Sequence, residues 1–284
     1  MINTAPLRQF AVVGNPVKHS RSPAIHEQFG RQTGVSLQYT LLESPLDAFT
    51  TTVTNFFDAG GWGLNVTVPF KEEAFALCGD GLSDRARLAG AVNTLWMQNG
   101  ALRGCNTDGV GLLADIARLG VPVQGKRVLL VGAGGAAKGV LFPLLEAGCQ
   151  VLRIVNRSAH RAHDLSAHTA AQLPQHASRL SGGGLDQAQG EWDIVINATS
   201  SSLSGEAPSL VGATYAKGAL AYDMMYGPRP TPFMSQALDA GAEFVSDGLG
   251  MLVEQAAEAF LIWNGVRPET APVLSTLRAA MQER

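Results

Sequence analysis

Short apolar runs alternate with amphipathic stretches along the first eighty residues. Residues 10–13 form an apolar run that stops at Gly14-Asn15-Pro16, the length and punctuation of a strand. Ser22-Pro23 then opens a helical pattern through Ile25, Gln28 and Phe29 that ends near Gly34. Ser22 is placed to be its N-cap, with Pro23 at the first helical position. Residues 37–42 predict a second strand, 46–57 a helix closed by Gly60-Gly61, and 63–68 a third strand ended by Pro69. Residues 70–77 predict a short helix.

The alternation resumes near Gly111. Residues 111–119 predict a helix and 126–131 a strand. A glycine-rich turn and a helix to Ala147 follow. Further strands are predicted at 151–155, 192–197 and 220–222, and a helix at 250–263. The glycine-rich stretch 181–190 predicts a loop. This βαβ series predicts a parallel sheet with helices on both faces, and the economical arrangement returns the C-terminal helices to the N-terminal domain.

Composition sets the class. The chain has 284 residues, 46% of them apolar, with 32 glycines, enough for two α/β domains. A formal charge of −3 without a basic stripe argues against nucleic-acid or membrane partners. The most apolar stretch, 128–145, is broken by glycines, Lys138 and Pro143, and is too short and too interrupted to span a bilayer. Cys78, Cys105 and Cys149 form no C-x-x-C pair, which fits a reducing, cytoplasmic setting. The N-terminal MINTAPLRQFAVVG has no charged-then-apolar leader.

The strongest local chemistry is VLLVGAGGAAKGV. It is a G-x-G-x-x-A turn between a strand and a helix, the context a dinucleotide pyrophosphate requires. The next strand ends in Asn156-Arg157-Ser158, with Arg161 one turn on and no carboxylate at its tip. Two guanidiniums and a hydroxyl suit a ribose 2′-phosphate, so NADP is expected over NAD.

A second set of polar residues lies earlier. In GLNVTVPFK, Asn65 and Thr67 alternate with Leu64, Val66 and Val68. Such alternation also describes a face turned to water. Lys71 falls in a first helical turn, where the helix dipole disfavours a cation. Asn93 is read as an amide after an apolar strand. Asp108, in Asn106-Thr107-Asp108-Gly109, is read either as a helix cap or as the partner of Lys71. Together these supply a proton donor, a carboxylate to orient it, and groups that hold a polyol.

Read in order, GNPVKHSRSP, NVTVPFKEEAF, AGAVNT, NTDGVG, VGAGGAAKGV, NRS, NATSS, YDMMY and DGLGMLVEQAA resemble the shikimate dehydrogenase family over essentially the whole chain. The resemblance implies an α/β protein of two domains with a cleft between them. Residues 1–109 plus 249–284 would form the substrate-binding domain, and 110–248 a Rossmann-type, doubly wound NADP-binding domain. It implies reversible, NADPH-dependent reduction of 3-dehydroshikimate in aromatic amino acid biosynthesis. Lys71 and Asp108 would be the catalytic pair. Ser20, Ser22, Asn65, Thr67, Asn93, Asp108, Tyr226 and Gln255 would hold substrate. Gly132, Ala133, Gly134, Gly135, Ala136, Asn156, Arg157, Ser158 and Arg161 would bind NADP(H), with Asp84, Met224 and Gly248 on the cofactor side.

Ser158 stands where threonine is common in the family, and it keeps the hydroxyl. The nearest rival is a quinate/shikimate dehydrogenase of dual specificity. A non-catalytic NADP-binding protein is a rival of another class, opposed by the presence of both Lys71 and Asp108. His160, His163 and His168 sit on a polar helix and predict solvated surface, not a metal site. A small-molecule substrate is expected, and monomer and homodimer are both compatible with the sequence.

Overall fold

The computed structural model describes residues 7–282. Residues 1–6, over which the absence of a leader is expected, and 283–284 lie outside the described residues.

The elements run in chain order as β1 (Arg8–Gly14), α1 (Ser22–Thr33), β2 (Leu37–Glu43), α2 (Phe49–Asp58), β3 (Gly63–Val66), α3 (Lys71–Cys78), α4 (Asp84–Ala89), β4 (Thr94–Gln98), β5 (Ala101–Cys105) and α5 (Asp108–Arg118). Then come β6 (Arg127–Val131), α6 (Gly135–Glu146), β7 (Val151–Asn156), α7 (Ala159–Gln172), β8 (Leu180–Gly184), β9 (Gly190–Asn197), β10 (Ala213–Asp223), α8 (Pro232–Asp239), β11 (Phe244–Asp247), α9 (Leu249–Asn264) and α10 (Ala271–Gln282). They form two compact units. The first runs through Asp108 and includes Val253–Ser275; the second is Gly109–Leu252 with a last segment from Thr276.

The first unit holds a five-stranded sheet in the order β2-β1-β3-β4-β5. β1 pairs in parallel with β2 and β3, whereas β3–β4 and β4–β5 are antiparallel. The expected parallel sheet therefore holds here for three strands only. The antiparallel pair is a hairpin turned at Asn99-Gly100, both with positive φ (53° and 74°), as a two-residue turn matched to strand twist demands. The chain reverses strand order at β1, whose neighbours are β2 and β3. The switch point of this sheet therefore lies at the carboxyl ends of β1 and β3, where the two departing segments stay paired through Asn15 N to Val68 O at 3.1 Å. The core beneath is apolar, with Phe49 stacked on Phe70 at 4.8 Å.

The second unit holds a six-stranded sheet in the order β11-β10-β9-β6-β7-β8, every pair parallel. Counted from β6, that is the doubly wound order with its switch point between β6 and β9. Val128, Leu129, Leu130 and Val131 are all fully buried. Alternate residues of a strand face opposite ways, so both faces of the sheet are covered.

Several local expectations are corrected. Ser22 does not cap α1: Arg21 takes that place without a side-chain bond, and Ser22 is the first helical residue. The stretch 181–190 is not a loop but contains most of β8 and the start of β9. Gly182 is needed there because a Cβ would lie 2.3 Å from the Ala162 carbonyl oxygen of α7. The helix expected from residue 46 begins at Phe49, and the strand expected to reach residue 68 stops at Val66. Asn93 precedes β4 instead of following a strand. β4, β5, α4, α8, β11 and α10 fall where the pattern predicts no element.

Candidate functional site

The first unit gathers its polar residues at the edge of the sheet where β1 and β3 end. β3 is buried along its whole length, and Asn65 is only 6% exposed. Its polar alternation therefore does not mark a face turned to water. After β3 the chain turns through Thr67, whose N–H donates to Val13 O and whose carbonyl accepts from Phe70 N. That turn sets Lys71 as the first residue of α3.

Lys71 is held against the helix dipole by a carboxylate: Nζ donates to Asp108 Oδ2 at 2.6 Å. Asp108 is the first residue of α5 and the partner of Lys71. The capping role falls to Asn106, whose Oδ1 accepts from the Asp108 N–H at 3.0 Å. The lysine side chain is 22% exposed and the aspartate 9%. The amine can therefore meet a ligand while its counter-charge stays shielded.

Asn93 is the hub of this cluster. Its Nδ2 donates to Asp108 Oδ1 (2.8 Å) and Thr107 Oγ1 (3.0 Å), with Gln255 Oε1 of α9 at 3.4 Å. Its Oδ1 accepts from Thr107 N (2.9 Å) and Thr94 Oγ1 (2.9 Å). Thr107 Oγ1 in turn lies 3.2 Å from Gln255 Oε1. On the other side Asn65 Nδ2 donates to Asn93 O and Thr94 Oγ1, and Asn65 Oδ1 accepts from Tyr39 Oη at 2.7 Å. Ser20 and Ser22 lie at the mouth of α1, their hydroxyls 3.1 Å apart. The structure thus joins Lys71, Asp108, Asn93, Gln255 and Asn65 in one network and pairs Ser20 with Ser22. Tyr39, Thr94 and Thr107 are its unforeseen members. Thr94 and Thr107 stand in the quoted AGAVNT and NTDGVG motifs; Tyr39 carries no sequence signal.

The second unit carries a cradle at its switch point. Gly132 follows β6 with φ 116°, and a Cβ there would lie 3.1 Å from the Ala198 carbonyl oxygen. α6 begins at Gly135 with Gly134 as its N-cap and no capping side chain, so its first N–H groups are open to a ligand. A Cβ built on Gly134 or Gly135 would meet nothing within 4 Å. Open space at a bare helix N-terminus fits an anionic pyrophosphate. Ala133 is buried beneath the turn, and Ala136 lies in the first turn of α6.

Beyond the tip of β7 lies a cavity of about 440 Å³ whose lining includes Asn156, Arg157, Thr199, Ser201 and Ser204. Arg157 and Arg161 are exposed, and Asn156 Nδ2 donates to Ser158 O at 3.1 Å. A guanidinium facing hydroxyls fits a phosphorylated ribose. The walls of this region hang on Asp223, which is fully buried. It accepts from Ser202 (2.6 Å), Thr231 (2.7 Å), Met225 N (3.0 Å) and Asn197 Nδ2 (3.1 Å). Asn197 also accepts from Thr199 N and Oγ1. Asn197, Thr199 and Asp223 were within the quoted NATSS and YDMMY motifs but had no predicted role.

Met224 donates its N–H to Asn197 O, and Gly248 donates to Met225 O. Gly248 must be glycine, because a Cβ would lie 2.2 Å from Met224 O. Tyr226 is half-buried just past β10 in this unit. Asp84 is an exposed residue in the first turn of α4, in the first unit, outside the cluster around Asn93. Among the described residues no His, Cys, Asp and Glu group could hold a metal ion, and no helix is long and apolar enough to cross a membrane.

Comparison with known proteins gives three family matches. Residues 12–95 match the shikimate dehydrogenase substrate binding domain, 115–206 the shikimate / quinate 5-dehydrogenase model, and 248–278 the shikimate 5′-dehydrogenase C-terminal domain. The chain is 60% identical over 283 residues to a shikimate dehydrogenase (NADP(+)) of Bordetella petrii, covering 99% of each chain. It is 61% identical over 280 residues to that of Bordetella avium, covering 98% of each. A crystal structure of shikimate 5-dehydrogenase from Thermus thermophilus in complex with NADP(H) and shikimate superposes with a TM-score of 0.82. It is 33% identical, and the match covers 96% of this chain and 100% of that one.

Proposed function

The chain belongs to the shikimate dehydrogenase family, and from that premise we propose which of its residues carry the reaction. The protein is an NADP-dependent oxidoreductase that reversibly reduces 3-dehydroshikimate to shikimate. The observation that carries the residue assignment is the 2.6 Å pair between Lys71 Nζ and Asp108 Oδ2.

When bound, NADPH supplies the hydride that reduces the ketone carbon. Lys71 does the complementary work. Its ammonium stabilises the negative charge that grows on the ketone oxygen and donates the proton that completes the alcohol. In the reverse direction the neutral amine takes that proton back. Asp108 aims the amine and supports its positive form. Asn93 holds Asp108 from the other side through Oδ1, so the carboxylate cannot swing away. Ser20 and Ser22 would meet the substrate carboxylate. Asn65, Thr67, Asn93 and Gln255 would hold the ring hydroxyls, and Tyr226 would line the pocket.

On the cofactor side, the N–H groups at Gly134–Ala136 would receive the pyrophosphate, with Gly132 and Ala133 shaping the turn. Asn156, Arg157, Ser158 and Arg161 would take the 2′-phosphate, and Asp84, Met224 and Gly248 complete the cofactor side of this reading. The substrate domain is read as 1–109 plus 249–284 and the NADP domain as 110–248. The three buried cysteines support a cytoplasmic location. Reduction of NADP by the purified protein with shikimate, and its loss in Lys71→Ala, tests the reading.

A further inference from the structure

Asn65 is already committed on three sides. Its Nδ2 donates to Asn93 O (3.1 Å) and Thr94 Oγ1 (3.2 Å), and its Oδ1 accepts from Tyr39 Oη (2.7 Å). A carboxamide has two N–H donors and two acceptor lone pairs on oxygen. Both protons are used, so a lone pair of the oxygen is all that Asn65 can still offer, and the His26 ring is also hydrogen-bonded to this amide. Asn65 can therefore meet a ligand only as an acceptor, from a hydroxyl.

Tyr39 decides where that lone pair points. A terminal amide torsion is broad and easily turned, and the tyrosine hydroxyl anchors the oxygen end. Tyr39 comes from the edge strand β2 and is the one fully buried residue in it. In the order β2-β1-β3 it reaches across β1 to Asn65. Burial pushes its phenol well above the ordinary value, so it stays a donor at working pH.

Tyr39 is held in turn by His26, one helical turn after Ser22 on α1. The two rings stack at 4.4 Å and 9°, and Trp263, Phe29 and Phe260 close around the imidazole. His26 is 1% exposed, and its Nε2 has no hydrogen-bond partner. Burial pushes the imidazole down to about 3, against the opposing effect of a hydrogen bond with Asn65. The ring is neutral and meets Tyr39 by its flat face.

We propose that Tyr39 is a positioning residue for the reaction, holding the Asn65 oxygen where it accepts from a ring hydroxyl of the substrate, with His26 as its packing plate. This rests on the reading of Asn65 as a substrate-holding residue. The kinetics of Asn65→Ala, Tyr39→Phe, His26→Phe and His26→Ala test it in the full-length protein. Asn65→Ala should raise the shikimate KM; if it does not, the placement of Asn65 fails and the proposal with it. Tyr39→Phe should raise the shikimate KM about tenfold, the loss of one hydrogen bond, and leave the NADP KM unchanged. Its penalty should vanish with a shikimate analogue lacking one of the two non-reacting ring hydroxyls. A Tyr39→Phe penalty equal for shikimate and both analogues, or absent while Asn65→Ala is impaired, overturns the positioning role alone. His26→Phe should keep a near-normal KM, whereas His26→Ala should behave like Tyr39→Phe. Equal damage from both histidine variants overturns the plate role.

Discussion

Lys71 Nζ and Asp108 Oδ2 stand 2.6 Å apart, joining the first residue of α3 to the first residue of α5. The carboxylate is tethered by Asn93, and together these contacts fix the direction of the amine. Lys71→Ala is expected to lower kcat by about a hundredfold to ten-thousandfold, the range for a lost general acid. The shikimate KM should move far less. Steady-state kinetics in both directions checks this.

Asn93 is nearly as exacting. It is 3% exposed; its oxygen accepts from Thr94 Oγ1, Thr107 N and Thr107 Oγ1, and its nitrogen donates to Asp108 and Thr107. Asn93→Ala would leave buried donors unpaired, at a cost of about 1–3 kcal/mol for each orphan. A lowered denaturant midpoint together with lost turnover is expected. A variant of wild-type stability would remove Asn93 from the centre of the network.

The glycines of the cradle should separate folding from binding. Gly132 has φ 116° and backbone close by, so Gly132→Ala should destabilise by more than about 1 kcal/mol. Gly134 has an extended backbone and open space at its Cβ. Gly134→Val should therefore fold normally yet bind NADP weakly, because the side chain fills the room the pyrophosphate needs. Melting curves with and without NADP distinguish the two outcomes.

Arg157 should set the choice of cofactor. It is exposed and faces the hydroxyl-lined cavity past β7. Hydrogen bonds to a charged group contribute about 1.5–3 kcal/mol. Arg157→Ser should then weaken NADP by about ten- to a hundredfold and leave NAD almost unchanged. Equal losses for both cofactors would mean that Arg157 does not read the 2′-phosphate.

Stability should fall with acid through His26. Its folded pKa is about 3, below the 6.5 of an exposed histidine. The unfolded chain therefore binds the proton first. This contribution is intact above about pH 6.5 and is lost progressively as pH falls towards about 3, with a slope of up to about 1.4 kcal/mol per pH unit. Denaturant midpoints of wild type and His26→Phe should diverge in the variant's favour across that window. Parallel curves would mean that His26 is not buried neutral.

How much of this was legible in the sequence depended on how local the cause was. The glycine turn before α6 and the run of β6 are local and read directly. The Lys71–Asp108 pair was legible only as an oddity, a lysine where a helix dipole opposes it, because its partner lies 37 positions away. The Asn99-Gly100 hairpin had a signal in plain view, yet β4 and β5 were not predicted. β8 reads as a loop in the sequence because glycines normally punctuate, whereas Gly182 is there to admit the Ala162 carbonyl of α7. Tyr39 could not be found, since its partner Asn65 lies two strands over, and strand order is a long-range property.

The most direct test of the central claim follows reduced nicotinamide by absorbance with purified protein. Shikimate and quinate are crossed with NADP and NAD, and Lys71→Ala is run beside the wild type. Rapid reduction of NADP with shikimate, lost in the variant, is the predicted result. Wild-type turnover in Lys71→Ala, or none in any combination despite NADP binding, would contradict the account.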